Sequence, residues 1–284
     1  MVIYVHSGIF HADDAMATAI ALRVYPDAKI RRVRVVPEDR GDALVLDVGG
    51  VYDPSHGQFD HHQRGGSDDG RAATGKVWAQ MGPQICGSEQ IASRVYDMLL
   101  ASIDRNDIGV KDCAPIEGMR HLSASAFVSM MNAEDATSPE QDVAFGRAVQ
   151  ACSNALAGAI TNAGHWIRMR DIVLTINPRE AIFIPEPGEW QEHVLADDRF
   201  ADTLYVAFPS DRGGFLLQCV PDKIGSFGTR KSLPQAWAGL RGEQLASLVG
   251  IQAGPEVFCH PGRFIAGAVT LEDCQALAEY AIAA

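Results

Sequence analysis

The sequence predicts an α/β fold whose N-terminal part contains a parallel sheet. Three apolar runs of strand length are separated first by a helix-like stretch and then by a turn, an order typical of parallel α/β sheets. The runs cover residues 2–5, 30–36 and 43–46, and the helix-like stretch covers 13–24. Polar side chains follow two of these runs. Parallel α/β sheets place their binding sites at the carboxyl ends of their strands.

Each of these elements has a local reason. The first run, Val2–Val5, is apolar and stops at His6 and a Ser-Gly turn. Residues 13–24 are rich in Ala, a strong helix former. Residues 30–36 alternate Arg with Ile and Val, the pattern of a strand with one apolar face. The third run is wholly aliphatic and stops at Asp47.

Further along the chain, residues 49–75 are rich in Gly, Asp and His and have few aliphatic side chains, so we expect a long loop there. An amphipathic helix is predicted over 88–103, because its apolar residues recur at helical spacing. A long helix begins at Ser138-Pro139 and runs through 143–166, with the serine as its cap and the proline at its first position. Further strands are predicted at 172–176, 181–184, 204–208 and 215–220, and a last helix, capped by Thr270, at 271–282.

The composition excludes some classes of protein. The chain has 284 residues and a formal net charge of −12, which argues against broad electrostatic coating of DNA. No apolar run is long enough to span a membrane, and none of the six cysteines forms a C-x-x-C pair. The N-terminus has no signal-peptide pattern, so we expect a cytoplasmic protein with reduced thiols.

Histidines and aspartates collect in the first quarter of the chain. They occur around the first strand–helix turn, after the third apolar run and in the segment Asp60-His61-His62. Imidazole and carboxylate ligands without a thiolate suit Mn²⁺, Mg²⁺, Fe²⁺ or Zn²⁺. Several carboxylates in one site would repel each other unless cations lay between them. We therefore expect a metal-dependent hydrolase, with two ions, that acts on a phosphoester. The candidate ligands at this point are His6, His11, Asp13, Asp47, Asp60, His61 and His62, with Asp14, Asp53, His56 and Asp107 as second candidates.

Asp104 is a further candidate because it follows the predicted helix 88–103. A carboxylate there would face the negative end of the helix dipole and would need compensation, which a metal ion would supply.

Several segments of this sequence resemble those of the Myg-one family, which belongs to the DHH phosphoesterase superfamily. In the N-terminal half the resemblance lies in His6-x4-His11-x-Asp13-Asp14-Ala15 and in the segments 52–54 and 59–63. In the C-terminal half it lies in segments 218–221, 226–227, 230–234, 237–241 and 258–267. The motifs occur in the same order over nearly the whole chain, so the resemblance is specific for the family.

The resemblance implies a DHH-type parallel-sheet N-terminal domain and a smaller α+β C-terminal domain, with the active site in the cleft between them. We expect a metal-binding catalytic domain at 1–137, a bridging helix at 138–168 and a substrate-binding domain at 169–284. Motif positions imply two ions, with Mn²⁺ preferred and Mg²⁺ or Zn²⁺ as alternatives. The implied metal ligands are His6, His11, Asp13, Asp47, His61 and Asp104.

The remaining motif residues are expected to handle the substrate. His62 would face the phosphate, while Arg230 and Lys231 would neutralise its charge from a Gly-, Ser- and Pro-rich stretch. The alternative for these two cations is that they are solvated surface charges. His260, Gly262 and Arg263 would contact a terminal phosphate or sugar, and Gly267 would allow close backbone approach.

The chain departs from the family pattern at three positions. Ala12 stands where family members often have Cys, and His11 stands where most DHH proteins carry Asp. Pro261 replaces a small polar residue in the last motif. His11 therefore leaves open whether it or a neighbouring carboxylate completes the first metal shell.

The functional expectation is a phosphodiesterase, a 3′→5′ exonuclease on RNA or short oligonucleotides that uses a water activated by two metals. A hydrolase of a small phosphorylated metabolite, dinucleotide or pyrophosphate is the second interpretation, which the acidic charge favours. A regulator that binds metal or nucleotide without turnover is the third. Oligomeric state does not follow from the sequence.

Overall fold

The structure of the protein, a computed structural model, describes residues 1–110 and 122–284. The chain divides into two units, Met1–Gly164 and His165–Ala284. The division falls inside one long helix, so each unit is described separately.

Among the described residues, five strands form the sheet of the first unit, in the order β2-β1-β3-β5-β4. The strands are β1 (Val2–His6), β2 (Lys29–Val33), β3 (Leu44–Leu46), β4 (Tyr52–Asp53) and β5 (Gln58–Phe59). β1, β2, β3 and β5 run parallel to their neighbours, and β4 pairs antiparallel with β5. The carboxyl ends of β1, β3 and β5 therefore meet at one edge of the sheet.

Helices cover this sheet and enclose the main apolar core. The helices are α1 (Ala12–Val24), α2 (Ala73–Cys86), α3 (Glu89–Val95), α4 (Ala101–Asp107), α5 (Ala124–Ser129) and α6 (Pro139–Thr175). α1 is buried over most of its length, and five of its thirteen residues are Ala, which lets α2 pack closely on it. Ile3, Ile20, Leu46, Val77 and Phe145 are among the fully buried side chains of this core.

The region 49–75 is more structured than the expected loop. It contains the two short strands β4 and β5, a 3₁₀ turn at Pro54–His56 and the first residues of α2. α2 itself was not predicted, because Gly75, Gly82 and Pro83 weaken its helical pattern. Tertiary packing on α1 supplies the stability that local propensity lacks.

The predicted helix over 88–103 extends further than expected. Ser88 caps α3, and a π-helical turn at Tyr96–Leu100 leads directly into α4, which ends at Asp107. Asp104 therefore lies in the last turn of a helix and not after its end.

The predicted strand at 172–176 was also wrong, because α6 continues to Thr175. Its β-branched residues favour a strand locally. In the structure Met169 and Val173, four residues apart on one helical face, are buried against Ile182 and Trp190. Packing on one helical face therefore overrides the local preference.

Among the described residues, the second unit contains a five-stranded sheet of order β6-β7-β8-β10-β9. The strands are β6 (Ala181–Phe183), β7 (Tyr205–Pro209), β8 (Phe215–Cys219), β9 (Phe258–Cys259) and β10 (Ile265–Ala268). Of these strands, β6 and β7 pair in parallel and the others pair antiparallel. The helices are α7 (Gln191–Ala196), α8 (Glu243–Val249) and α9 (Leu271–Ala283), and Thr270 caps α9 as predicted.

The predicted fold class is confirmed: an α/β unit with a largely parallel sheet precedes a smaller α+β unit. The boundaries at 137 and 168 stay predictions. In the described part of the chain, no helix is long and apolar enough to cross a membrane. Cys113 lies outside the described residues, and the described cysteines are free thiols.

Candidate metal centre

Polar side chains from separate elements of the first unit meet at the carboxyl edge of its sheet. His6 ends β1, Asp47 follows β3, and Asp60-His61-His62 follows β5. Asp13 and Asp14 lie in the first turn of α1. Parallel strands end at the same edge, so topology alone brings these segments together.

His61 is the centre of the cluster. Its Nε2 lies 3.1 Å from Asp107 Oδ2, 3.3 Å from Asp47 Oδ1 and 3.9 Å from Asp13 Oδ2. His61 is 8% exposed, Asp47 4% and Asp13 1%, and the Asp107 side chain is 17% exposed, so the imidazole faces two buried carboxylates and one partly exposed one. Asp13, His61 and Asp107 lie close enough together to hold a metal ion, and so do Asp47, Asp60, His61 and His62.

Asp47 also faces a second histidine. Its Oδ2 lies 3.5 Å from His6 Nε2, while the same His6 atom lies 2.8 Å from Asp14 Oδ2. Asp47 thus presents one oxygen to His6 and the other to His61. Its backbone has φ 53°, which is uncommon for a non-glycine residue. Such strain is often kept where a side chain must be aimed precisely.

Three buried atoms of the cluster make no hydrogen bond: Asp14 Oδ2, Asp47 Oδ1 and His61 Nε2. Their neighbours approach within ion-pair distance, but not in hydrogen-bonding geometry. Buried polar atoms without partners are costly, so a group that satisfies all three is expected. A divalent cation fits, since carboxylate oxygen and imidazole nitrogen are its usual ligands.

The cluster changes the protonation of its own members. Burial and the neighbouring Asp47 carboxylate raise the pKa of Asp13 well above its usual range, and burial also raises the pKa of Asp47. Burial alone would lower the pKa of His61, but Asp107 and Asp47 outweigh it and raise that pKa to about 10. For His6, Asp14 and Asp47 likewise outweigh burial and raise the pKa to about 9. Protons therefore balance the negative charge here, which is the role a cation would take over.

The N-terminus of α2 fixes two of the buried carboxylates. Asp13 accepts hydrogen bonds from the amides of Ala73 at 3.0 Å and Thr74 at 2.7 Å. Asp104 accepts from the Gly75 amide at 2.9 Å and from the Tyr96 hydroxyl at 2.9 Å. The compensation expected from a metal at Asp104 thus comes from a helix N-terminus and a phenol. As a metal ligand, Asp104 stays a prediction.

Asp60 organises the segment that carries the two histidines. It accepts hydrogen bonds from the amides of Gly50, His61 and His62, and its Oδ1 lies 2.7 Å from His62 Nδ1. Burial opposes ionisation, but these hydrogen bonds lower the pKa of Asp60. The His62 side chain is 61% exposed, at 3.5 Å from Asp47 Oδ1. Asp60 therefore positions His62 at the open side of the cluster.

The other candidates of the first unit lie outside this ligand group. His11 is exposed and precedes α1, where its amide donates to Asp14 at 2.8 Å, and its ring centre is 5.9 Å from that of His6. Asp53 and His56 pair with each other at 2.6 Å on the surface. Asp107, a second candidate from the sequence, lies in the centre instead. Its spacing of three residues from Asp104 would have shown that the two share a helical face.

The candidates of the second unit are largely engaged within that unit. Arg230 donates to the carbonyls of Phe200 and Thr203, and Lys231 donates to the carbonyl of Ile282 at 2.8 Å. Arg263 donates to the carbonyl of Leu233 at 3.2 Å. These cations hold backbone segments together, so they are not the solvated charges that the alternative supposed.

The last motif forms an exposed turn beside the second sheet. His260 is exposed, and its Nδ1 accepts from the Gly262 amide at 2.9 Å. A Cβ at Gly267 would clash with the Glu256 carbonyl and the Phe258 ring. The close approach expected at Gly267 is therefore made by other residues of the same unit. The substrate roles of these residues stay predictions.

Comparison with known proteins agrees with the motif pattern. A family model named MYG1_exonuc, described as Uncharacterised protein family (UPF0160), matches residues 2–282. The chain is 29% identical to the MYG1 protein C27H6.8 of Caenorhabditis elegans, over 98% of this chain and 94% of the relative. It is 28% identical to the MYG1 exonuclease of Homo sapiens, over 98% of this chain and 85% of the relative.

Among solved structures, RecJ of Thermus thermophilus in complex with Mn²⁺ aligns with a TM-score of 0.29 and 14% identity, covering 100% of this chain and 52% of RecJ. The same protein in complex with Mg²⁺ aligns with a TM-score of 0.30 and 15% identity, covering 100% of this chain and 50% of RecJ. The chain thus spans about half the length of the RecJ chains.

Proposed function

The chain belongs to the MYG1_exonuc family, as its motifs predicted, and from that premise we propose that it is a metal-dependent phosphodiesterase that releases nucleotides from the 3′ end of RNA or short oligonucleotides. Relatives from Homo sapiens and Rattus norvegicus carry the name MYG1 exonuclease. The name supports nuclease chemistry in general; the choice of RNA and the 3′→5′ direction are part of the proposal.

The observation that carries the proposal is the buried cluster around His61. Three aspartates from separate elements lie within 3.9 Å of one imidazole nitrogen, and buried atoms there lack hydrogen bonds. A purely structural core would gain nothing from such a group, because each unpaired atom costs free energy.

Asp47 lies between two groups of donors that would suit two divalent cations. His61, Asp13 and Asp107 would serve one side, and His6 with Asp14 the other. Mn²⁺ is the preferred ion of the proposal and Mg²⁺ or Zn²⁺ the alternatives, since these donors are carboxylates and imidazoles and include no thiolate. When bound, such ions supply an activated water and neutralise charge on a phosphoryl group.

The side chains of the protein have their own tasks. Asp47 holds the two histidines at a fixed separation, because each of its oxygens faces one of them. Asp60 orients the exposed ring of His62, which we assign to the phosphate of the substrate. His260, Gly262 and Arg263 are proposed to contact the end of the substrate, since their turn is accessible in the second unit. Gly267, Arg230 and Lys231 would act there by shaping the surrounding backbone.

The test is degradation of a 5′-labelled single-stranded ribo-oligonucleotide by the full chain, stripped of metal and then supplied with Mn²⁺, Mg²⁺ or Zn²⁺. A ladder that shortens by one nucleotide at a time is expected with wild type. Asp47→Ala and His61→Ala should each abolish it. Asp27→Ala and His165→Ala are matched controls, because both side chains are exposed and lie outside the cluster.

Two other outcomes would redirect the assignment. If the protein hydrolyses a dinucleotide or pyrophosphate but leaves the oligonucleotide intact, the result would favour a small substrate. A small substrate also suits the net charge of −12. Tight metal binding without any hydrolysis would leave a binding protein and end the nuclease proposal.

A further inference from the structure

The loop between His62 and α2 contacts His61 of the cluster through the hydroxyl group of Ser67. Ser67 Oγ lies 3.0 Å from Nδ1 of His61, on the side of the ring opposite the acidic cluster. Nε2 of the same ring faces Asp107, Asp47 and Asp13. The two ring nitrogens of His61 therefore have separate partners.

The chemistry of imidazole links the partner of one ring nitrogen to the protonation of that nitrogen. A neutral histidine that gives the lone pair of Nε2 to a metal must carry its proton on Nδ1, and the partner of Nδ1 fixes that tautomer. A serine hydroxyl can accept a hydrogen bond from Nδ1–H. Ser67 is thus placed to select the tautomer of His61 that can bind a cation.

The position of Ser67 is specified by its neighbours in the loop. A Cβ at Gly66 would clash with the carbonyl oxygen of His61, so only glycine allows the loop to fold back this closely. Two residues after Ser67, Asp69 forms an ion pair with Lys76, which is 3% exposed on α2. These two anchors on either side hold the hydroxyl against the ring.

We propose that Ser67 is a positioning residue of the metal centre, which orients His61 and holds it in the Nδ1–H form through its hydroxyl. The proposal rests on the metal-dependent function proposed above. Ser67 is neither a carboxylate nor an imidazole of the cluster, so it would support a ligand and not be one.

The experiment measures Mn²⁺ affinity of the full chain by electron paramagnetic resonance, with Ser67→Thr, Ser67→Val and Ser67→Ala. Thr and Val have the same shape but only Thr keeps the hydroxyl. Loss of such an indirect partner typically costs about 10–100-fold in metal affinity. We expect that loss in the Val and Ala variants and near wild-type affinity in the Thr variant. Ser55→Ala is the matched control, because Ser55 Oγ also lies 3.1 Å from a histidine Nδ1, but on the exposed His56.

A second readout separates positioning from simple packing. In the Mg²⁺-loaded protein, nuclear magnetic resonance should show a protected Nδ1–H of His61 in wild type and Ser67→Thr. The signal should be lost to solvent exchange in Ser67→Val, while thermal unfolding shows that this variant is folded. Unchanged Mn²⁺ affinity in Ser67→Val, with wild type binding normally, overturns the role of Ser67 alone. Failure of wild type to bind Mn²⁺ overturns the proposed function as well.

Discussion

Asp107 Oδ2 lies 3.1 Å from His61 Nε2, closer to that atom than the carboxylates of Asp47 or Asp13. Asp107 is the last residue of α4, and Asp104 lies one turn before it on the same helix. The two carboxylates serve different partners. Asp107 faces the histidine, whereas Asp104 accepts hydrogen bonds from α2 and Tyr96. One helical turn thus separates the carboxylate that faces His61 from the carboxylate that α2 and Tyr96 hold.

We expect Asp107→Asn to weaken Mn²⁺ binding far more than Asp104→Asn does. An amide at 107 removes a negative ligand next to His61, while an amide at 104 can still accept from the Gly75 amide. The check is the dissociation constant for Mn²⁺ measured by calorimetry on both variants. Equal losses, or a greater loss for Asp104→Asn, would favour Asp104 as a metal ligand, as the motif positions imply.

Asp104→Ala should lower the free energy of unfolding. It leaves the buried Gly75 amide and the Tyr96 hydroxyl without their partner, a change that typically costs about 1–3 kcal/mol per unsatisfied group. Asp104→Asn should cost less, because it keeps one acceptor oxygen. Urea unfolding of the metal-free protein measures both, and equal stability of the Ala variant and wild type would contradict the capping role.

The sequence contained much of this arrangement. Apolar runs that end at His6 and Asp47 located the strand ends, and parallel topology then required those residues to meet. Asp104 was chosen because it follows the predicted helix 88–103 and by its motif position, whereas Asp107 was one of the second candidates. The π-helical turn at Tyr96–Leu100 changes which residues of the following helix face the core, and no local sequence pattern predicts this turn.

The rest depends on long-range packing that a single sequence does not display. α2 was not predicted because its glycines and Pro83 weaken the helical pattern. The backbone amides at its N-terminus nevertheless donate hydrogen bonds to Asp13 and Asp104. The backbone contacts of Arg230 and Lys231 join residues far apart in the chain. The Gly-, Ser- and Pro-rich stretch suggested that these two side chains can reach a substrate, whereas in the structure backbone carbonyls accept hydrogen bonds from both.

The metal-free protein should become less stable as the pH rises from about 6.5 to about 10. The folded-state pKa values of His6 and His61 are raised, to about 9 and about 10, above the ordinary value of 6.5. The folded state thus binds more protons than the unfolded state in this window, and its stabilisation is lost as those protons leave. Bound metal replaces the protons, so the dependence should flatten when Mn²⁺ is present. Urea unfolding with chelator and with Mn²⁺, across that range, measures both slopes, and a metal-free slope of opposite sign would contradict the charge balance.

Arg32 should matter for both stability and metal binding, although it lies outside the metal centre. Its side chain is 4% exposed, contacts Phe10 and Phe145 and donates to the carbonyl of Gly8 at 2.7 Å. It thereby helps to hold the turn between His6 and α1. Arg32→Ala removes a buried packed side chain and one of the donors to that carbonyl, so we expect a loss of about 2–5 kcal/mol in unfolding free energy.

Mn²⁺ affinity should fall in the same Arg32→Ala variant, because the turn that presents His6 loosens. Arg31→Ala is the matched control, since Arg31 is the exposed neighbour on the same strand. Unfolding curves and Mn²⁺ titrations of the two variants test the expectation. Similar behaviour of both would show that the buried guanidinium has no such role, whereas a loss confined to Arg32→Ala would link the packing of β2 to the geometry of the metal centre.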